Sequence, residues 1–199
     1  GDPAPLEVPA CLRISHDDAH TFGPPVTVAQ DPSRRLFFWD ARMAVQPATG
    51  EIVALFWTHD RLAGRDVNAH VAWGTPDGAT WSYPVDAGIP GQHPIPLILP
   101  DGRVLACYEH REEPASLRAV LSEDFGRTWE LAGELVFHGS AGRESGMGSQ
   151  RTHEEFWGDM LRWTFGHPWP ALLPDGSVFV AYYAGDAGSM SMCWARIRV

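Results

Sequence analysis

An all-β fold assembled from repeated four-stranded units is what this sequence predicts, and three observations carry that prediction. First, the frame Ser122-Glu123-Asp124-Phe125-Gly126-Arg127-Thr128-Trp129 recurs twice earlier in the chain. Residues 15–22 keep Ser15, Asp17, Thr21 and an aromatic, Phe22, while residues 74–81 keep Gly78, Thr80 and Trp81. Second, an apolar strand, an Asp-Gly or Thr-Gly turn and an alternating strand recur together. Residues 97–108 (LILPDGRVLACY) and 171–182 (ALLPDGSVFVAY) match closely, and 43–56 are a looser copy. Third, the 199 residues include 9 Trp, 20 Gly and 17 Pro, a mixture that favours short strands and many turns over helices. Fixed-period copies constrain architecture more than a single motif does.

The frame reads as a hairpin turn held by its own side chains. Asp124 accepts from the turn's amides, the Ser122 and Thr128 hydroxyls do likewise, and Gly126 suits a positive φ. Trp129 then opens the next strand and packs beneath the turn, where burying an indole contributes roughly 4–6 kcal/mol of transfer free energy. In the weaker copies Ala19 stands at the glycine position and Pro76 at the aspartate position. These residues are structural, not catalytic.

Taken in order, the elements are strand A, tight turn, strand B, loop, strand C, the Ser-x-Asp turn and strand D. Four antiparallel strands in about 50 residues are the blade of a β-propeller. The hairpin glycines fall at 50, 102 and 176, so the intervals are 52 and 74 residues and the second holds an insertion. The expected division is a blade remnant at 1–40, blades at 41–88 and 93–137, an insertion at 138–166 and a last blade at 167–199. Within the insertion, residues 150–163 read either as a short amphipathic helix or as a lid-like loop. About three to three and a half blades are present, against four to eight in closed propellers. Missing N-terminal blades or another chain would complete the ring.

Net charge is −10, which argues against nucleic acid or an anionic membrane as a general partner but leaves room for a small anionic ligand. Cys11, Cys107 and Cys193 stand far apart in apolar settings and read as buried free thiols. No metal spacing, membrane span or signal peptide is visible in this chain, and no cofactor is implied. The compartment stays open, with secretion or the periplasm the direction favoured.

Blade topology sorts the loops. The A–B turns and Ser-x-Asp turns lie on one rim, the B–C loops and D–A connections on the other. That second rim gathers Thr58-His59-Asp60-Arg61, Asp66, the run from Tyr108 to Glu113, Tyr183, Asp40-Ala41-Arg42, Gln92-His93 and a stretch from His153 to His167. Clustered arginines, carboxylates and histidines on one rim are what a binding face requires.

The frame S-x-D-x-G-x-T-W resembles the Asp-box (BNR repeat) of the sialidase, or neuraminidase, propeller family, whose fold has six blades. The likeness runs through nearly the whole chain as a repeat pattern. It implies an exo-acting glycoside hydrolase of sialidase type, acting on sialic acid or another acidic sugar. The alternatives are a non-catalytic propeller that binds glycans or proteins through the same rim, and a scaffold. In the family three arginines hold the sugar carboxylate, the first opening a strand A. Arg42 takes that position, without the family's following proline pattern, and Arg111 or Arg118 is placed like a second. Asp60 or Asp66 would be the acid/base. The tyrosine–glutamate nucleophile would come from Tyr108 with Glu109, or from Tyr183. His59, Gln92 and His93 would line the sugar site.

Overall fold

The structure, a computed structural model, describes residues 8–139, 163–186 and 188–199. Residues 140–162, which hold most of the expected insertion and the helix-or-loop segment, lie outside the described residues. The rest is a β-propeller portion made of successive antiparallel sheets. Strands β1 (Ala10–Leu12) and β2 (Val26–Ala29) pair as a two-stranded sheet. Next come β3 (Leu36–Val45), β4 (Ile52–Asp60), β5 (Arg65–Gly74) and β6 (Val85–Asp86), in that spatial order. A second four-stranded sheet holds β7 (Gln92–Ile98), β8 (Val104–His110), β9 (Ser116–Ser122) and β10 (Leu135–Gly139). The third holds β11 (Phe165–Leu172), β12 (Val178–Asp186) and β13 (Ser189–Ile197). Among the described residues no helix is long and apolar enough to cross a membrane.

Strand alternation explains how the sheets stack. On β4, Ala54 and Phe56 pack back against Val28 and Ala29, whereas Val53 and Leu55 pack forward against Val104, Ala106 and Tyr108 of β8. On β8 the other parity, Leu105 and Cys107, meets Val178 and Val180 of β12. Strands β4 and β8 are therefore buried on both faces, and every residue of β8 is buried, whereas β12 alternates buried with half-buried positions. The three cysteines are free. Cys107 is buried, and that burial pushes its thiol up, whereas Cys193 is half-buried and Cys11 is exposed on the short edge strand β1.

The turn after β9 is held as a small closed network. Ser122 Oγ donates to Asp124 Oδ1 at 2.9 Å and accepts from the Gly126 amide at 2.7 Å. Asp124 accepts from the Thr128 amide and hydroxyl, both at 2.7 Å. The 15–22 turn repeats this with Ser15, Asp17 and Thr21, and Ala19 sits there at φ 66°. In the 74–81 turn the carboxylate comes from Asp77, one residue later than the eight-residue frame places it. Thr75 Oγ1 donates to Asp77 at 2.6 Å, and Gly78 stands at φ 68°. Shortening that turn by one residue moves the aspartate past Pro76, which has no amide to give. The turns also join blades: Trp73 of β5 donates Nε1–H to the Phe125 carbonyl at 2.8 Å, and Arg127 lies over the Trp73 ring.

Candidate functional site

The first strand of each of the three larger sheets carries the same irregularity. Pairing slips between Trp39 and Arg42 on β3, between Gln92 and Ile95 on β7, and between Gly166 and Trp169 on β11. Each slip is a bulge, and its first residue has positive φ: Asp40 at 43°, His93 at 45° and His167 at 51°. Non-glycine residues held there cost of order 1–3 kcal/mol each, a cost that recurs at functional sites. The last regular pairs before the three bulges are Trp39 with Trp57, Gln92 with Glu109 and Gly166 with Tyr183. Three equivalent places in the fold thus hold different chemistry at one rim.

The side chains there form a continuous polar chain. Arg42 Nη2 lies 2.6 Å from Asp40 Oδ1, and Asp40 Oδ2 lies 3.4 Å from His93 Nε2. His93 Nδ1 stands 3.1 Å from Glu109 Oε2, and the same carboxylate pairs with Arg111 Nη2. Arg111 also donates to the Phe165 carbonyl at 2.8 Å and reaches Gln92 Oε1 at 3.4 Å. Gln92 Nε2 donates to Asp66 Oδ2 at 2.7 Å, and His59 Nδ1 meets Asp66 Oδ1 at 2.8 Å. Glu109 Oε1 accepts the His167 amide at 2.6 Å, an N–H that the bulge withdraws from the ladder. Tyr183 stands against the same carboxylate, because Gly166 opposite it has no side chain: a Cβ there would meet both Tyr183 Oη and Glu109 Oε1.

Aromatic rings wall this chain. Trp57 packs on Trp39 and His93 with centroids 4.8 and 4.7 Å apart, and His93 on His167 at 4.9 Å. Arg111 lies 4.3 Å over the Trp163 ring, and Arg42 lies 5.4 Å over Trp169. Burial acts to raise the Glu109 carboxyl, but the Arg111 charge, His93 and the His167 amide outweigh it and hold it well below the usual carboxylate range. Tyr183 is pushed up by burial and by the Glu109 charge, with Arg111 opposing.

Of the residues singled out in the sequence, Arg42, His59, Asp66, Gln92, His93, Glu109, Arg111 and Tyr183 are brought together. Asp60 points the other way from His59: Arg35 bonds it and holds it at about 2, and the Leu62 and Ala63 amides cap it. Tyr108 faces the preceding sheet, and its hydroxyl donates to Glu134. Arg118 bonds Glu134, Ser116 and His110 Nδ1, away from Arg42. Asp40 and His167, which the sequence places on this rim without a role, and Gly166 also belong to the cluster. A signal for the histidines does exist, since His-Pro-x-Pro occurs at both 93–96 and 167–170.

No protein-family model matches the chain, and no curated protein matches it. Solved structures do. A Dyadobacter fermentans protein of unknown function is 26% identical with a TM-score of 0.66, over 94% of this chain and 44% of that one. A Hadza microbial sialidase is 14% identical with a TM-score of 0.62, over 92% of this chain and 37% of its own. An N-acetylgalactosamine deacetylase from F. plautii, solved with blood group B trisaccharide, is 14% identical with a TM-score of 0.50 over 84% of this chain. The chain spans between 37% and 51% of the length of these three. They share its fold.

Proposed function

We propose that this chain carries part of the active site of an exo-acting glycoside hydrolase of sialidase type, taking sialic acid or another acidic sugar. One observation carries the reading: Tyr183 and Glu109 face the same space beside Gly166, on the rim that also holds Arg42 and Arg111. Arg42, with 28% of its side chain exposed, receives the sugar carboxylate, while buried Arg111 keeps Glu109 ionised. Tyr183 oxygen attacks the anomeric carbon as the glycosidic bond breaks, passing its proton to Glu109. Asp66, rather than Asp60 in its Arg35 pair, protonates the departing oxygen. Water then releases the sugar with the roles of acid and base reversed, and configuration is retained. The turns at 15–22, 74–81 and 122–129 serve as Asp-boxes, scaffolding only. The carbohydrate named for the F. plautii structure and the sialidase name of the Hadza protein support a sugar ligand for this fold.

A second reading, a propeller that binds glycan without turnover, has its own support. Both arginines already face internal carboxylates, so the site is close to self-neutralised. Aryl glycosides of sialic and uronic acids decide between the two. Hydrolysis is expected in the wild type. Arg42→Ala should lower kcat/KM by about a hundredfold, since charge-assisted bonds to a carboxylate contribute roughly 1.5–3 kcal/mol each. Tm should change little. Wild-type binding of the same sugars with no release of the aryl group would establish the second reading instead.

A further inference from the structure

Among the described residues Arg42 Nε is buried without a hydrogen-bond partner, while Arg42 Nη2 is held by Asp40 Oδ1 at 2.6 Å. A guanidinium grips a carboxylate with two nitrogens, either Nη1 with Nη2 or Nε with Nη2. Both grips use Nη2. A ligand carboxylate therefore arrives at the nitrogen that Asp40 already holds, and two carboxylates there repel each other. The open Nε favours the side-on grip, in which an incoming oxygen satisfies a donor that is costly to leave buried.

Asp40 has a second partner to turn to. Its other oxygen lies 3.4 Å from His93 Nε2, longer than a good hydrogen bond, and 24% of its side chain is exposed. His93 is buried and packs on the Trp57 and His167 rings at 4.7 and 4.9 Å, so it stays in place to receive the carboxylate. Its Nδ1 already faces Glu109 Oε2 at 3.1 Å. A neutral imidazole donates from one nitrogen only, so between two carboxylates the ring is satisfied on both sides only when protonated. With no ligand on Arg42, that guanidinium shares the Asp40 charge. Once a ligand takes Arg42, the charge falls on His93 alone.

We propose that Asp40 is a displaceable counter-ion, and that carboxylate binding at Arg42 drives uptake of a proton from solvent onto His93. The coupling rests on the reading of Arg42 as the receiver of the sugar carboxylate, but not on turnover. The charged and titratable groups around His93 are Asp40 and Arg42 from β3, Glu109 from β8, Arg111 from the loop after it, and His167 from β11. Of the carboxylates, Asp40 is the one that changes partner, since Glu109 stays with Arg111. Burial holds His167 toward its neutral form, which leaves His93 to take the proton. Proton uptake makes binding tighten as pH falls, by at most about tenfold per pH unit.

Calorimetric titration with free sialic acid and free glucuronic acid at about pH 7.5, in two buffers of different ionisation enthalpy, counts the proton. The wild type is expected to take up more than about half a proton per sugar bound. This count needs no variant. Asp40→Asn suits the left-handed bulge; it should bind about three- to tenfold more tightly and take up almost no proton. His93→Asn should also take up almost none, and bind about tenfold more weakly because displaced Asp40 has no cation to meet. Proton uptake lost in both variants, without hydrolysis of aryl glycosides by the wild type, would keep the coupling and remove the glycosidase reading. Hydrolysis alongside binding that takes up no proton would overturn the coupling. Uptake that survives in both variants, weaker binding by Asp40→Asn, or absence of sugar binding would overturn it equally.

Discussion

A methyl group added at Gly166 would lie 2.6 Å from the Tyr183 hydroxyl and 2.8 Å from Glu109 Oε1. Gly166→Ala must therefore displace the tyrosine or the carboxylate. Overpacking of this kind costs about 1–3 kcal/mol, and thermal unfolding should read that loss. Turnover should fall further than stability does, because the displaced group is the one proposed to react. Tyr183→Phe separates the two effects, removing turnover on aryl glycosides with Tm nearly unchanged. At this scale the sequence was readable by rim but not by face. Loop order brings His59 and Asp60, or Tyr108 and Glu109, to one rim together. Adjacent strand residues then diverge, so one of each pair joins the cluster while Asp60 goes to Arg35 and Tyr108 to Glu134. Which parity faces inward depends on how the next sheet packs, and no local pattern encodes that.

The turn at 122–129 separates packing from hydrogen bonding. Trp129 contacts the cluster of Val53, Val71 and Val120, and a Cβ added at Gly126 would lie 3.4 Å from its ring. Trp129→Ala should cost about 3 kcal/mol, the low end for a Trp truncation because the ring is only partly buried. Asp124→Ala removes bonds to Thr128 and Ser122 on exposed ground, so about 1 kcal/mol is expected. Urea denaturation of the two variants checks the order, and a larger loss for Asp124→Ala would overturn it. Elements were the most legible level of the molecule. Alternation and the Asp-Gly turns identify the hairpins, whereas the one-residue contraction at Thr75-Pro76-Asp77 hides its aspartate from an eight-residue frame. The bulges were equally hidden, because extended strands and bulged strands share one hydrophobic pattern until the pairing register is known.

Glu109 ties three sheets together: it stands on β8, accepts from the β11 amide of His167, and reaches β3 through His93 and Asp40. Glu109→Gln would leave the buried Arg111 charge without its partner, and breaking a buried pair this way costs about 3–5 kcal/mol. Acid should act on the same point. The Glu109 carboxyl lies lower in the folded chain than its ordinary value of 4.5, and Asp60 lies at about 2 against 3.8. Between those limits the unfolded chain binds more protons, so stability is complete above about pH 5 and declines as pH falls toward 2. Tryptophan fluorescence against pH should show that decline, and Glu109→Gln should flatten part of it. An unchanged slope in the variant would assign the acid sensitivity to other carboxylates. Blade count and strand order were visible in the repeats, but this cross-sheet tie was not. It joins residues far apart in sequence, and only the His-Pro-x-Pro repeat at 93–96 and 167–170 marks two of its members.

Asp40, His93 and His167 share one left-handed backbone geometry, filled once by a carboxylate and twice by an imidazole. The scaffold therefore behaves as a set of interchangeable sockets: the bulge fixes where a functional group will stand, and the residue placed in it fixes only the chemistry. Exchanging aspartate and histidine among the three would rewrite the charge sequence around the axis without asking the strands to move.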